Sequence, residues 1–282
     1  MVLSTPMSAP DLTVEFGFRR SFGRHDFTTA GGDSVTVIAE PTWEEFWDTT
    51  STSADLGRIV LSPELMTSPL PIDQIAGSKH LIGERIAQVR ELSRSHAETT
   101  FALGTAAFNN QTGRPANSIL LVKDGSVVGQ NNKAWSLSSQ EKSLFTFKAV
   151  HGPSRIAPHI ATLVCSDIFG ETSTQRHPVY VGNRVATYRN TLLRGSDNQN
   201  PANKVGSQTE TVLLSSCWAV PLMTNLSQGE SPVAKDDWYR RQLESRLAML
   251  FSLNPGLLDI IIADRSTGVS GDVLPFVGQF RR

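Results

Sequence analysis

Thr162-Leu163-Val164-Cys165-Ser166-Asp167-Ile168-Phe169 runs from a β-branched, apolar stretch into a thiol, with a carboxylate two residues beyond it. Ile160 to Val164 has the pattern of a buried strand. A sulfur at the end of such a strand is held rigidly and still faces a pocket, as a nucleophile requires. Taken alone the window also has a plainer meaning, because unpaired cysteines are among the most buried residue types and commonly do no more than pack. Two upstream stretches share its form. Arg58-Ile59-Val60-Leu61-Ser62 reads as a strand ended by Pro63-Glu64, and Val127-Val128-Gly129-Gln130 leads through Asn131-Asn132 to Lys133. Singly, Glu64 reads as a loop or helix-start charge and Lys133 as a solvated turn lysine. As a set they put an acid, a cation and a thiol at the ends of three separate strands.

Outward from these points the chain alternates strands and helices, which makes α/β the expected class. Residues 1–33 are irregular and read as an N-terminal arm or edge segment, with 34–282 as one domain. Ser34 to Ala39 reads as a strand, and Thr42 and Glu45 have capping-box spacing for a short helix whose apolar face is Trp43, Phe46 and Trp47. Leu81, Ile82, Ile86, Val89 and Leu92 follow helical spacing. Thr100 to Phe108 is strand-like, and Asn117 to Gln130 is a hairpin turning at Asp124-Gly125. Gly104, Gly125 and Gly129 are all expected in turns. Residues 170–210 form a polar, irregular insertion with a helix expected around 183–193. Thr211 to Leu214 and Leu257 to Ala263 read as buried strands, and Asp236-Asp237 starts a helix carrying Trp238, Leu243, Leu247 and Leu250.

In this order the chain resembles the nitrilase superfamily of carbon–nitrogen hydrolases, which use a Glu-Lys-Cys triad. Ile59-Val60-Leu61-Ser62-Pro63-Glu64-Leu65 is similar to the family's strand ending in Pro-Glu. Asn117-Ser118-Ile119-Leu120-Leu121-Val122 through Asp124-Gly125 to Lys133 is similar to its hairpin ending in the lysine. Leu163-Val164-Cys165-Ser166-Asp167-Ile168 is similar to its nucleophile strand. The resemblance covers about residues 34–270. It implies a four-layer α-β-β-α sandwich with Glu64, Lys133 and Cys165 as catalytic residues. Glu141, eight residues past Lys133, falls where the family often keeps a second glutamate. Ser166, Trp135, Cys217 and Trp218 are then the expected substrate-binding residues. The implied substrate is a small amide or carbamoyl compound, hydrolysed through a thioester with no metal or organic cofactor.

The sequence departs from the family's pattern at three places. A small residue, Ser166, follows the thiol, and Ile168-Phe169-Gly170-Glu171 replaces the usual Arg-Phe-Pro-Glu type of ending. The insertion is longer than compact domains commonly hold in one loop. The chain stops at Phe280-Arg281-Arg282, near where the family adds its last strands, so the sandwich is expected to be minimal at that edge, and association with a second copy through a sheet edge or the sandwich faces is expected. Two alternatives stay open on the same residues: an N-acyltransferase, and a degenerate fold kept for binding or assembly.

Composition narrows the rest. A formal net charge of −1 over 282 residues provides no electrostatic footing for nucleic acid or an anionic membrane. Two cysteines without a pairing motif make no disulfide framework, and His80, His96, His151 and His159 have no metal-site spacing. The first thirty residues hold no apolar stretch of signal-peptide length and no segment reaches membrane-spanning length, so a cytoplasmic location is expected.

Overall fold

A computed structural model of the chain describes residues 15–19, 21–109, 112–133, 139–146, 155–165, 209–217, 247, 250–251, 254–267 and 273–282. The strands among them form two six-stranded sheets. One contains β2 (Gly23–Thr28), β3 (Ser34–Ala39), β4 (Ile59–Leu61), β5 (Thr100–Phe108), β6 (Pro115–Lys123) and β7 (Ser126–Asn132), in chain order across the sheet. The other contains β1 (Glu15–Arg19), β8 (Arg155–Ala157), β9 (Ile160–Val164), β10 (Thr211–Ser216), β11 (Asp259–Thr267) and β12 (Val273–Arg281), in the order β1-β12-β11-β10-β9-β8. Each sheet has a parallel centre, β3-β4-β5 in one and β9-β10-β11 in the other, with antiparallel strands outside it. Parallel strands are covered on both faces and read as near-continuous apolar runs, as Ile59-Val60-Leu61 and Val212-Leu213-Leu214 do.

The two-residue period of a strand sorts side chains between two cores. Val35, Val37, Ile59, Leu61, Ala102, Ile119 and Leu121 join residues of the second sheet in one buried cluster. Their neighbours Ile38, Val60, Phe101, Leu103, Leu120 and Val122 face the other way, against Trp43, Phe46 and Val89. These last three belong to α1 (Trp43–Ser51) and α2 (Lys79–Ser95), which cover the outer face of the first sheet. The sheets face each other, with β3 against β11 and β12 and β6 and β7 against β9. Leu247, Leu250 and Phe251, also helical, are buried with the cluster of the second sheet.

Thr42 caps α1 through a capping box: its hydroxyl accepts from the Glu45 N–H at 3.2 Å and donates to the Glu45 carboxylate at 2.7 Å. The Asp124-Gly125 turn places both residues at positive φ, 46° and 72°, as a tight hairpin turn requires. Gly104 and Gly129 do not lie in turns; they lie inside β5 and β7. A Cβ on Gly129 would press on the Leu121 side chain at 3.1 Å, whereas one on Gly104 would meet backbone next to the candidate site. Residues of the N-terminal segment fill two sheet edges. β2 pairs with β3, and β1 pairs with the outer side of β12, so the chain's own residues occupy the edge where the sequence leaves room for a neighbour. The 170–208 part of the insertion and the helix expected from Asp236 to Arg246 lie outside the described residues.

Replacing Thr42 with Ala removes the cap of α1, and urea unfolding is expected to show a loss of about 1 kcal/mol with an unchanged m-value.

Candidate active site

The carboxyl ends of the parallel strands in both sheets point to one place between the sheets. β4 continues through Ser62, whose N–H still donates to Ala102 O at 3.1 Å, and then bends inward at Pro63-Glu64. The Glu64 N–H crosses to the other sheet and donates to Ser216 O at 3.2 Å, at the end of β10. Leu65 takes a left-handed conformation, φ 58°, which reverses the chain sharply after the carboxylate. Arg85 and Arg265 hold the outside of this turn, donating to Thr67 O at 3.0 Å and Leu65 O at 3.4 Å. The inward bend is possible because Gly104 has no side chain. A Cβ there would lie 2.0 Å from Pro63 O and 2.8 Å from Glu64 Cα. Gly104 N–H also donates to Ser62 Oγ at 2.8 Å, which fixes the start of the bend.

Lys133 follows β7 directly, and its N–H donates to Asn117 O at 2.7 Å. Its ammonium lies 2.9 Å from Glu64 Oε1 and 2.6 Å from Glu141 Oε1. Glu141 comes from the short helix α3 (Ser139–Leu144). The Lys133 and Glu64 side chains are each 1% exposed and Glu141 is 14% exposed, so the cation sits in the interior between two anions. Asn117 touches two members of the group. Its backbone carbonyl accepts from Lys133, and its side-chain amide donates to Glu64 Oε1. Glu64 Oε2 has no hydrogen-bond partner among the described residues, and the Cys165 thiol lies close enough for the two groups to act on each other's ionisation.

Cys165 is wholly buried at the end of β9 and has φ 37°. A non-glycine residue at positive φ is strained and persists only where its surroundings enforce it. Here Asn131, in β7, donates its side-chain amide to Thr162 O at 2.8 Å, tying β7 to β9 three residues before the thiol. Cys217 follows directly after β10, the strand paired with β9. The Cys217 thiol itself donates to Arg265 O at 3.0 Å.

Electrostatics follow from this burial. Burial opposes ionisation of Glu64 and lifts its pKa above the ordinary 4.5, against the opposing pull of Lys133. Burial also works against the Lys133 ammonium, but Cys165, Glu141 and Glu64 outweigh it, and its pKa is raised well above the ordinary lysine value. The Cys165 thiol is pushed well up by burial and then by Glu64, with Lys133 and the Cys217 amide offsetting part of the rise. The shifts thus favour a neutral thiol at Cys165 and an ammonium at Lys133. The folded state holds the Glu64 proton more tightly than the unfolded chain does, so this carboxyl favours folding below pH 4.5. That advantage is lost as pH rises through the raised value.

Four of the residues singled out from the sequence, Glu64, Lys133, Cys165 and Glu141, are thus within one connected group, and Cys217 adjoins it. Ser166, Trp135 and Trp218 lie outside the described residues. Sequence reasoning gave no role to Asn117, Asn131 or Gly104. A signal for the two asparagines was available: each shares strand parity with the inward-facing Ile119 position or its partner, where an amide is out of place unless it is bonded. Among the described residues no group of His, Cys, Asp and Glu could hold a metal ion, and no helix is long and apolar enough to cross a membrane.

This architecture defines a class. The chain has the fold of the nitrilase-superfamily amidases. It is similar to an amidase from Nesterenkonia sp. AN1 with the acetamide moiety of fluoroacetamide covalently added at its active-site cysteine (TM-score 0.54, 14% identity, 85% of this chain and 78% of that one). A cysteine-to-serine variant of that amidase, a nitrilase-superfamily protein, matches equally (TM-score 0.54, 14% identity, 85% and 80% covered). The chain is also similar to a glutamine-dependent NAD+ synthetase from Acinetobacter baumannii (TM-score 0.50, 19% identity, 82% of this chain) and spans 36% of that chain's length. No protein-family model and no curated protein matches the sequence.

Gly104→Ala forces backbone against backbone. It is expected to lower unfolding stability by on the order of 1–3 kcal/mol in denaturant titration and to displace Glu64 from Lys133.

Proposed function

We propose that the protein is a thiol hydrolase of a nonpeptide carbon–nitrogen bond, acting on a small amide or carbamoyl compound through a thioester at Cys165. The observation that carries this reading is a buried ammonium, Lys133, 2.9 Å from Glu64 and 2.6 Å from Glu141, with the wholly buried Cys165 near enough for both Glu64 and Lys133 to act on its ionisation. The fold shared with amidases, a variant of one of which carries the acetamide moiety of fluoroacetamide on its active-site cysteine, supports a reactive thiol at this place in the fold.

An amide carbon is a poor electrophile, so attack needs a strong nucleophile and stabilisation of the oxygen that gains charge. In the resting site the thiol keeps its proton. Glu64 takes that proton as the sulfur attacks the carbonyl carbon, which avoids a free buried thiolate. The tetrahedral oxyanion is met by the positive charge of Lys133. Glu64 then returns the proton to the leaving nitrogen, the C–N bond breaks, and ammonia or an amine departs. A water enters, gives its proton to Glu64 and attacks the thioester; the C–S bond breaks and the thiol is regenerated. Glu141 keeps Lys133 charged and in place while Glu64 is protonated, because the ammonium then has a second anion 2.6 Å away.

The test is a panel of small amides, nitriles and carbamoyl compounds assayed for released ammonia or amine. Cys165→Ala is expected to abolish turnover, at least 1,000-fold on the order expected for loss of a covalent nucleophile, while leaving the circular dichroism spectrum unchanged. Full activity in that variant would sink the thioester. A second measurement addresses the base. Glu64 must be ionised to accept the thiol proton, so kcat/KM is expected to fall as pH drops through an inflection above 4.5. An inflection at or below the ordinary carboxylate value would remove Glu64 from the role.

A further inference from the structure

The mechanism uses one of the chain's two cysteines, and both are free. The other stands beside it by construction of the sheet. β9 and β10 are parallel with Val164 opposite Ser215, so the next residues, Cys165 and Ser216, continue the same row. Cys217 is one step diagonally from Cys165. With strands about 4.8 Å apart and a rise of about 3.3 Å per residue, that step is about 6 Å between Cα atoms. Disulfides span roughly 4.4–6.8 Å between Cα atoms, so the backbone is already within bridging distance.

The Cys217 thiol is turned aside to Arg265 O at 3.0 Å, a weak S–H bond that one rotation about χ1 releases. Cys217 is half-buried whereas Cys165 is wholly buried, so the second thiol lies on the more open side of the first.

We infer that Cys165 and Cys217 form an oxidisable pair, which a peroxide converts to an intramolecular disulfide that blocks the nucleophile and which a thiol reductant reopens. The chemistry balances in two steps. The Cys165 sulfur attacks one peroxide oxygen, the O–O bond breaks, and the sulfur is oxidised to a sulfenic acid while hydrogen peroxide is reduced to water. The thiol proton passes to Glu64 and on to the leaving oxygen. Cys217 sulfur then attacks the sulfenic sulfur; the S–S bond forms, the S–O bond breaks, and hydroxide leaves with the Cys217 proton as a second water. A dithiol reverses the bridge by exchange. The inference rests on the juxtaposition of the two thiols and holds whether or not the proposed hydrolase activity does.

The full chain is treated with hydrogen peroxide, denatured, alkylated and analysed by intact mass and peptide mapping. The expected product is lighter by two hydrogens, takes up no alkylating reagent, runs as a monomer without reductant, and contains the Cys165 peptide joined to the Cys217 peptide. Dithiothreitol is expected to restore both free thiols. Cys217→Ser is expected to gain oxygen at Cys165 instead, passing to sulfinic and sulfonic acids that dithiothreitol does not reduce. Wild-type protein that gains oxygen as this variant does, or that links between chains, overturns the pair. Should Cys217→Ser not fold, the peptide map of the wild-type product decides alone. Because none of these readouts uses turnover, a failed disulfide and a failed hydrolase are distinguished directly.

Discussion

A lysine ammonium with 1% exposure, held between two carboxylates, is the interaction around which this molecule is organised. Taking such an ion out of water costs several kcal/mol, and attraction to its partners offsets that only when geometry is good and the remaining polar atoms are bonded. Glu64 and Glu141 provide the charge, and Asn117 provides a further donor to Glu64. One acceptor, Glu64 Oε2, is left without a partner among the described residues. A buried ion group of this kind adds little to stability compared with an apolar core of the same volume. Its presence fits chemistry better than packing.

Holding the group together requires both sheets to agree in register. Glu64 leaves the first sheet and is bonded to Ser216 of the second, while Asn131 of the first is bonded to Thr162 of the second. These two cross-sheet bonds flank Cys165, whose backbone turns left-handed just past the end of β9. Local strain of this sort persists because the apolar cluster between the sheets, from Val35 to Phe280, makes a shift of either sheet costly. The same proximity of strand ends that gathers Glu64, Lys133 and Cys165 also places Cys217 at the end of the strand beside β9.

Most of the framework was legible from the letters because period-two alternation and continuous apolar runs report directly on which face is covered. The α1 cap, the Asp124-Gly125 turn and the strands carrying Glu64, Lys133 and Cys165 all follow from local chemistry. Gly104 was misjudged as a turn residue. Its role lies in a contact with Pro63, forty-one positions earlier, and no local pattern reports a contact at that separation. Asn117 and Asn131 were passed over for the same reason: an amide inside a buried strand has meaning only once its partner across the interior is known.

Chain chemistry alone set the alternation of elements, the positions at which strands end, and the three residue types placed at those ends. Nothing in it stated that these ends converge. Convergence came from the parallel centre of each sheet, which gathers carboxyl ends on one side, and from the face-to-face packing that brings the two centres together. Pairing between strands is cooperative and long-range, whereas the alternation along a strand is local. A single sequence therefore displays the second plainly, and the first is decided only when the sheets close on each other.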